Sequence, residues 1–279
     1  MTSSFSTDQD YYADTSYISS SMIKAYLRSP AYYKALYIDH SIDGPDSAAI
    51  DFGQALDTLL TEGEDSFHKK FSCAVLKKDD PETFEKNKTF DGVVLSTTAY
   101  NAVRTACDAV RATSAYKWIV DNAPVAQTIL TGEIDGVKVK GKLDWLNIVE
   151  IMGEKVAVIT DLKTTTNLHP TKYFYHALDF SYDVQMAMYR ELVRQNYYYP
   201  TSIVCQHLVV TKNDWPQVAT FTFSPTILDR AFHGKVLPAI RGINDGDFKE
   251  KDVSWNEAYF LEYKEQVAEE EKIEEDEEV

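Results

Sequence analysis

Cysteine is scarce in this chain: Cys73, Cys107 and Cys205 are scattered over 279 residues and form no CxxC pair. That spacing offers no disulfide framework and suits a reducing cytosol. It also leaves too few thiolates for an ordinary iron–sulfur cluster. Long apolar runs are missing too, and none approaches the roughly 20 residues that span a bilayer. The amino terminus, MTSSFSTDQDYYADTS, has neither a basic n-region nor an apolar core, so no secretory signal is expected. No GxxxxGK loop occurs, which removes ATP-driven work from consideration. His169, His176, His207 and His233 make no pair at metal-ligand spacing and read as structural or surface residues. These absences describe a soluble cytoplasmic protein with no membrane partner.

Positive charge is in short supply as well. The formal charge is −16, and half of it sits in residues 265–279, EQVAEEEKIEEDEEV, which hold nine acids and one lysine. That run reads as a solvated helix extension or a disordered tail. The remaining body is mildly acidic, so phosphate binding would need local basic patches or bound cations. One domain over residues 1–262, opened by a helical segment, and an acidic tail over 263–279 are expected.

Patterning gives an α/β (mixed α+β) order. SSSMIKAYLRSPAYYKAL predicts two short helices, with serine caps and a break at Ser29-Pro30. AAIDFGQALDTLLTEG places Phe52, Leu56, Leu59 and Leu60 on one stripe, with Gly63 as C-cap. Residues 64–95 are polar and mixed, with KKDDPETFEKNK reading as a surface loop, and one long helix is expected from Ser96 to about Val120. QTILTGEIDGVKVKGKLDWLNIV alternates around Asp135-Gly136, a hairpin signal, and EKVAVITDLKT follows a turn at Met152-Gly153. After this three-strand meander come an amphipathic helix, SYDVQMAMYRELVRQN, two strands, SIVCQHLVV and QVATFTFS, and a helix, PTILDRAFHGKVLPAI. A central mixed sheet flanked by helices accommodates that order.

The chemistry gathers on the meander. Glu133 ends its first strand, Asp144 lies in GKLDWL, and Asp161 and Lys163 close the third strand in ITDLKTTT. Side chains two apart on a strand share a face, so Asp161 and Lys163 stand side by side while Leu162 points away. Carboxylates on neighbouring strands, about 4.8 Å apart, can face one point. Mg²⁺ is the natural counter-charge, because it takes oxygen ligands, keeps several waters and uses phosphate oxygens to complete its shell. Any one of these acids alone is ordinary strand-end content; the ordered set carries the signal. Gln185 and Tyr189, four residues apart, share one face of the following helix. Lys138, Lys140 and Lys142 alternate on one strand face and are placed to touch a phosphate backbone, although a solvated face explains them equally.

GKLDWL, ITDLKTT and YDVQMAMY together resemble the second, third and QxxxY motifs of PD-(D/E)XK nucleases, and among them the RecE-like exonucleases of phage recombination systems. The resemblance covers roughly residues 17–240 and implies a restriction-endonuclease-like core. It implies a Mg²⁺-dependent exonuclease, with Mn²⁺ able to substitute, that digests double-stranded DNA ends 5′ to 3′ and leaves 3′ overhangs. It also implies a RecT-like single-strand annealing partner, a ring-shaped homo-oligomer, and a bacterial or phage-infected cytoplasm. By position, Asp144 and Asp161 would be metal ligands, joined by the Leu162 carbonyl, and Lys163 the catalytic lysine. Glu133 is the less secure member, and Gln185 and Tyr189 would contact the nucleotide. Two departures stand out. Where related enzymes carry G-x-x-x-H, this chain has Gly53 and then Asp57, which can ligate a hard cation but, when ionised, cannot donate to phosphate. Leu143 replaces the proline of PD. An endonuclease using the same site, and a binding protein that keeps the fold without turnover, remain alternatives.

Overall fold

The structure is a computed structural model that describes residues 8–45 and 47–249; the acidic tail lies outside the described residues. Helix α1 (Asp8–Ala13) leads through the short strand β1 (Ile18–Ser19) into α2 (Ser20–Arg28), whose N-cap Ser19 accepts a hydrogen bond from the Met22 N–H. Ser29 then caps α3 (Pro30–Tyr33), which runs on as a π-helical turn over Lys34–Ile38. Helix α4 (Ala48–Thr61) buries Phe52, Leu56, Leu59 and Leu60, as the stripe predicts. Gly63 follows it at a φ of 89°, a left-handed value that favours glycine.

Two stretches differ from the sequence reading. Residues 64–95 are structured: α5 (Glu64–Lys70), β2 (Phe71–Cys73), α6 (Pro81–Asn87) and β3 (Val93–Leu95), with β2 and β3 pairing in parallel. Phe67, Phe71 and Leu95 are the buried anchors that the polar residues around them conceal. The expected long helix is two, α7 (Thr97–Ala112) and α8 (Ser114–Asp121). Thr113 divides them: its extended backbone ends α7, and its hydroxyl accepts the Tyr116 N–H to start α8.

The meander comprises β4 (Val125–Ile134), β5 (Val137–Ile151) and β6 (Glu154–Thr165). Its two turns fall at Asp135-Gly136 and Met152-Gly153, all four residues having positive φ, the type I′ pattern that suits the twist of a hairpin. After α9 (Pro170–Asp179) and α10 (Tyr182–Asn196), β7 (Ser202–Thr211) pairs parallel to β6, and β8 (Val218–Thr222) returns antiparallel. Helices α11 (Pro225–Ala231) and α12 (Leu237–Asn244), joined by a π-turn, complete the described chain. The result is a mixed six-stranded sheet between two apolar layers. One layer joins the sheet to α2, α10, α11 and α12 through Ile23, Val184, Met188, Leu192 and Ile240; the other joins it to α4, α5 and α7 through Leu56, Phe67 and Val103. Among the described residues no helix is long and apolar enough to cross a membrane.

The detail that places the site lies in β5. Its ladder with β6 ends at Trp145–Thr160, and β1 takes the same edge further on, at Val139 and Lys140. Between them the strands part, and the next residues along each are Asp144 and Asp161. The alternation of β5 also reverses there: Leu143 packs in the α10 layer and Trp145, two residues on, in the α4 layer. Gln127, opposite Asp144 in β4, has a φ of 49° and marks the same irregularity. Gly141 then lets α10 lie close, because a Cβ there would sit 2.8 Å from Tyr189 and Leu192 side-chain atoms.

Candidate active site

A cleft of about 320 Å³ opens over this fork, lined by Asp57, Lys142, Asp144, Asp161, Leu162, Lys163, Gln185 and Tyr189 among others. Each acid is held differently. Asp144 Oδ2 accepts the Leu162 N–H at 2.7 Å. On a strand the N–H and C=O of one residue point to the same edge, so the Leu162 carbonyl faces this gap too. The buried Asp161 pairs through Oδ2 with the Lys163 ammonium and accepts Gln185 Nε2 at Oδ1, 2.7 Å away. Both Asp57 oxygens accept Gln127 Nε2, at 3.2 and 3.1 Å. Tyr189 donates its hydroxyl to the Lys142 carbonyl at 2.7 Å and receives Gln185 Nε2 at 3.1 Å.

Crowding of like charges shows in the titration of these groups. Burial, then the charges of Asp57 and Asp161, push Asp144 well above the usual carboxylate range against the opposing pull of Lys163 and the Leu162 N–H. Asp57 rises to about 6 by burial and by Asp161, with Lys142 and Lys163 opposing. Burial disfavours the Lys163 cation, yet Asp161 and Asp144 outweigh it and raise its pKa, so the side chain stays an ammonium.

Glu133 does not join the group. It pairs with Lys138 at the far end of the β4–β5 hairpin, exposed, while Asp144 lies six residues further along β5, about 20 Å at the strand rise. The third acid at the cleft is instead Asp57, delivered by α4. Lys140 is corrected as well. It is 2% exposed, and its ammonium donates to the carbonyls of Tyr11 and Asp14, at 2.5 Å for the latter, which ties α1 to the sheet. Lys138 is exposed beyond it, over the Tyr17 ring, and of the three lysines Lys142 stands nearest the acids, where its charge acts on Asp57.

Several residues at the site carried no sequence signal. Lys24 of α2 donates to Gln185 Oε1 at 2.7 Å, and burial and Lys163 depress its pKa to about 7. The Tyr182 ring lies 5.0 Å from Lys163 Nζ and 5.1 Å from Lys24 Nζ, a cation–π contact with both ammoniums. His207, on β7 beside Asp161, is fully buried. Lys24 falls within a segment whose helical pattern was legible, but only the docking of α2 on α10 brings it here. Gln127 and His207 depend on strand register, which no local pattern gives.

Among the described residues no three acidic, histidine or cysteine side chains are close enough to clasp an ion unaided. Two carboxylates and a carbonyl are nonetheless a fitting partial set for a hard divalent ion, which completes its shell with waters and phosphate oxygens. The burial and, after it, the mutual repulsion that raise Asp144 and Asp57 mark a site that favours added positive charge.

Acids at a strand fork, a D-x-K on the inner strand and a Q-x-x-x-Y helix laid over them define a PD-(D/E)XK nuclease fold. The chain belongs to the family described as the PDDEXK-like domain of unknown function (DUF3799), whose model matches residues 19–244. Its fold is similar to the crystal structure of a candidate exonuclease from Eubacterium rectale, at 20% identity and a TM-score of 0.62, over 92% of this chain and 95% of that one. The crystal structure of SSO0001 matches 50% of this chain and 67% of that one at 14% identity and a TM-score of 0.26, too slight a likeness to use. A search of curated proteins returns no match.

Proposed function

We propose that this protein is a Mg²⁺-dependent exonuclease that digests linear double-stranded DNA from its ends, 5′ to 3′, and leaves 3′ overhangs for homologous recombination of the phage type. The observation that supports it best is the placement of Asp144, Asp161 and Lys163 around one cleft at the parting of β5 and β6. PD-(D/E)XK nucleases generally use divalent ions; Asp144, Asp161 and the Leu162 carbonyl would hold one here, and Asp57, which lines the same cleft, would be a further ligand. Such an ion would supply Lewis acidity toward the attacking water and offset charge on the phosphate. The water oxygen bonds to phosphorus, its proton passes to solvent, and the bond to the leaving ester oxygen breaks as that oxygen takes a proton.

Lys163, kept as an ammonium, serves as a donor that orients the attacking water and meets charge developing on the phosphoryl oxygens. Gln185 and Tyr189 fix Asp161 and the β5 backbone at Lys142, and so hold the two strands in register across the gap. Lys142 supplies a positive charge for the backbone of the bound strand. A RecT-like annealing partner and a ring-shaped homo-oligomer rest on the family resemblance alone.

The test is digestion of end-labelled linear duplex beside closed circular duplex, with Mg²⁺, with Mn²⁺ and with chelator. Loss of the linear substrate only, and only with metal, is expected. Cutting of the closed circle would point to an endonuclease, and intact DNA of both forms would remove the enzymatic reading.

A further inference from the structure

Behind Asp161, on the side away from the cleft, the sheet encloses an imidazole that the proposed chemistry does not use. Asp161 and His207 are Cα partners on the parallel strands β6 and β7, so their side chains leave the sheet on one face next to each other. His207 is 0% exposed and boxed by the rings of Tyr182, Phe223 and Tyr173 at 5.3, 4.7 and 6.1 Å, each nearly perpendicular to it. Its Nδ1 lies 2.7 Å from the buried Tyr173 hydroxyl. Its Nε2 has no hydrogen-bond partner and points toward Asp161 Oδ2, 4.0 Å away, which apart from its ion pair with Lys163 has none either.

We infer that His207 is a positioning residue for Asp161, with Tyr173 fixing its tautomer so that Nε2–H faces the carboxylate as a donor. Two arrangements are open to the Tyr173–His207 pair. If Nδ1 carried the proton, the Nε2 lone pair would face the carboxylate oxygen in a site closed to water, and both would stay unsatisfied. If the tyrosine donates to Nδ1, the proton resides on Nε2, and a side-chain movement of about 1 Å closes the gap to a hydrogen bond. Gln185 then holds one oxygen of Asp161 and His207 stands behind the other, which leaves the carboxylate one rotamer in which to meet an ion. Buried supports of this kind are commonly worth about 10- to 100-fold in metal affinity.

The inference rests on the reading of Asp161 as a metal ligand, and two measurements on the full-length protein separate the two. Long-range ¹H–¹⁵N spectra of histidine-labelled protein are expected to show His207 neutral with its proton on Nε2; a proton on Nδ1 overturns the inference and leaves the metal reading untouched. Mn²⁺ binding followed by electron paramagnetic resonance is expected to weaken about tenfold in His207→Leu, to stay within about twofold in His207→Gln, which keeps a donor, and to weaken in Tyr173→Phe, which removes only the hydroxyl. Wild-type Mn²⁺ affinity in a folded His207→Leu protein overturns the positioning role alone. Should His207→Leu fail to fold, Tyr173→Phe and the tautomer decide. A wild-type protein that binds no Mn²⁺ overturns both readings.

Discussion

The β4–β5 hairpin carries an acid near each end, and the two ends behave differently. At the outer end Glu133 is exposed beside the Asp135-Gly136 turn, facing Lys138 across the ladder. At the inner end Asp144 sits where β5 loses its β6 partner and takes a backbone N–H from Leu162, and burial, reinforced by Asp57 and Asp161, makes it hold its proton well above the ordinary range. The residue type is nearly the same, but the dielectric and the neighbours are not. A carboxylate gains a function from convergence with others in a place water has largely left, and a turn at the rim cannot provide that.

Substitution at the two ends should therefore separate sharply. Asp144→Ala, Asp161→Ala and Lys163→Ala are each expected to lower nuclease activity by on the order of 10³-fold or more, while Glu133→Ala stays within about twofold, measured on linear duplex. The inner variants should keep their fold by circular dichroism. Comparable losses at Glu133 and Asp144 would break the distinction.

Packing gives the next largest contrast. Gly141→Ala places a Cβ 2.8 Å from Tyr189 and Leu192, and the expected cost is about 1–3 kcal/mol in urea unfolding, with activity falling as α10 shifts Gln185 off Asp161. At the outer turn Gly136→Ala meets no atom within 4 Å and suffers only its φ of 75°, a cost of about 1 kcal/mol with activity retained.

Asp57 offers a smaller effect with a definite sign. Its folded pKa of about 6 exceeds the ordinary aspartate value of 3.8, so the native state binds the extra proton between those values. The stabilisation is whole below about pH 4 and is lost as pH rises through 6. In chelator, wild-type stability should fall across that window. Asp57→Asn should flatten the fall and leave the metal-free protein more stable at pH 7.5 by about 1–2 kcal/mol, discounted for partial exposure. A variant as pH-dependent as the wild type would show that Asp57 is not the group that loses its proton in that window.

The legible parts of the chain were those with local causes. The hairpin turns need positive φ, the α4 stripe has its 3.6-residue period, and D-x-K followed by Q-x-x-x-Y marks one strand face and one helix face. What was not legible depends on register or on a distant element. The β5–β6 fork makes Asp144 a partner of Asp161, but its sequence alternates on either side as if nothing interrupted it. Lys24 arrives from α2, in the layer opposite the one that holds α4, whose Asp57 the G-x-x-x-H position does mark in the sequence. Glu133 was misplaced for the same reason: nearness to the motif along the chain is not nearness across the fork. Thr113 looked like a helix interior because a hydroxyl that caps one helix and closes another leaves the apolar period nearly in phase.

The smallest effect sharpens the comparison most, because it sets two lysines of one strand face against each other. Lys142 lies at the cleft, its charge already acting on Asp57, whereas Lys138 stands over Tyr17 near the turn, and Lys140 between them is committed to the α1 carbonyls. If the bound strand runs through the cleft, Lys142→Ala should remove one phosphate contact. The slope of log K against log salt should then fall by roughly 0.7–0.9, with affinity for duplex and single strand reduced alike. Lys138→Ala should change the slope by less than half that amount and stability by about 0.5 kcal/mol at most. Equal slopes for the two variants would mean that the DNA follows the hairpin outward past β1 rather than dropping into the fork, and the path of the strand over the protein would have to be redrawn along that edge.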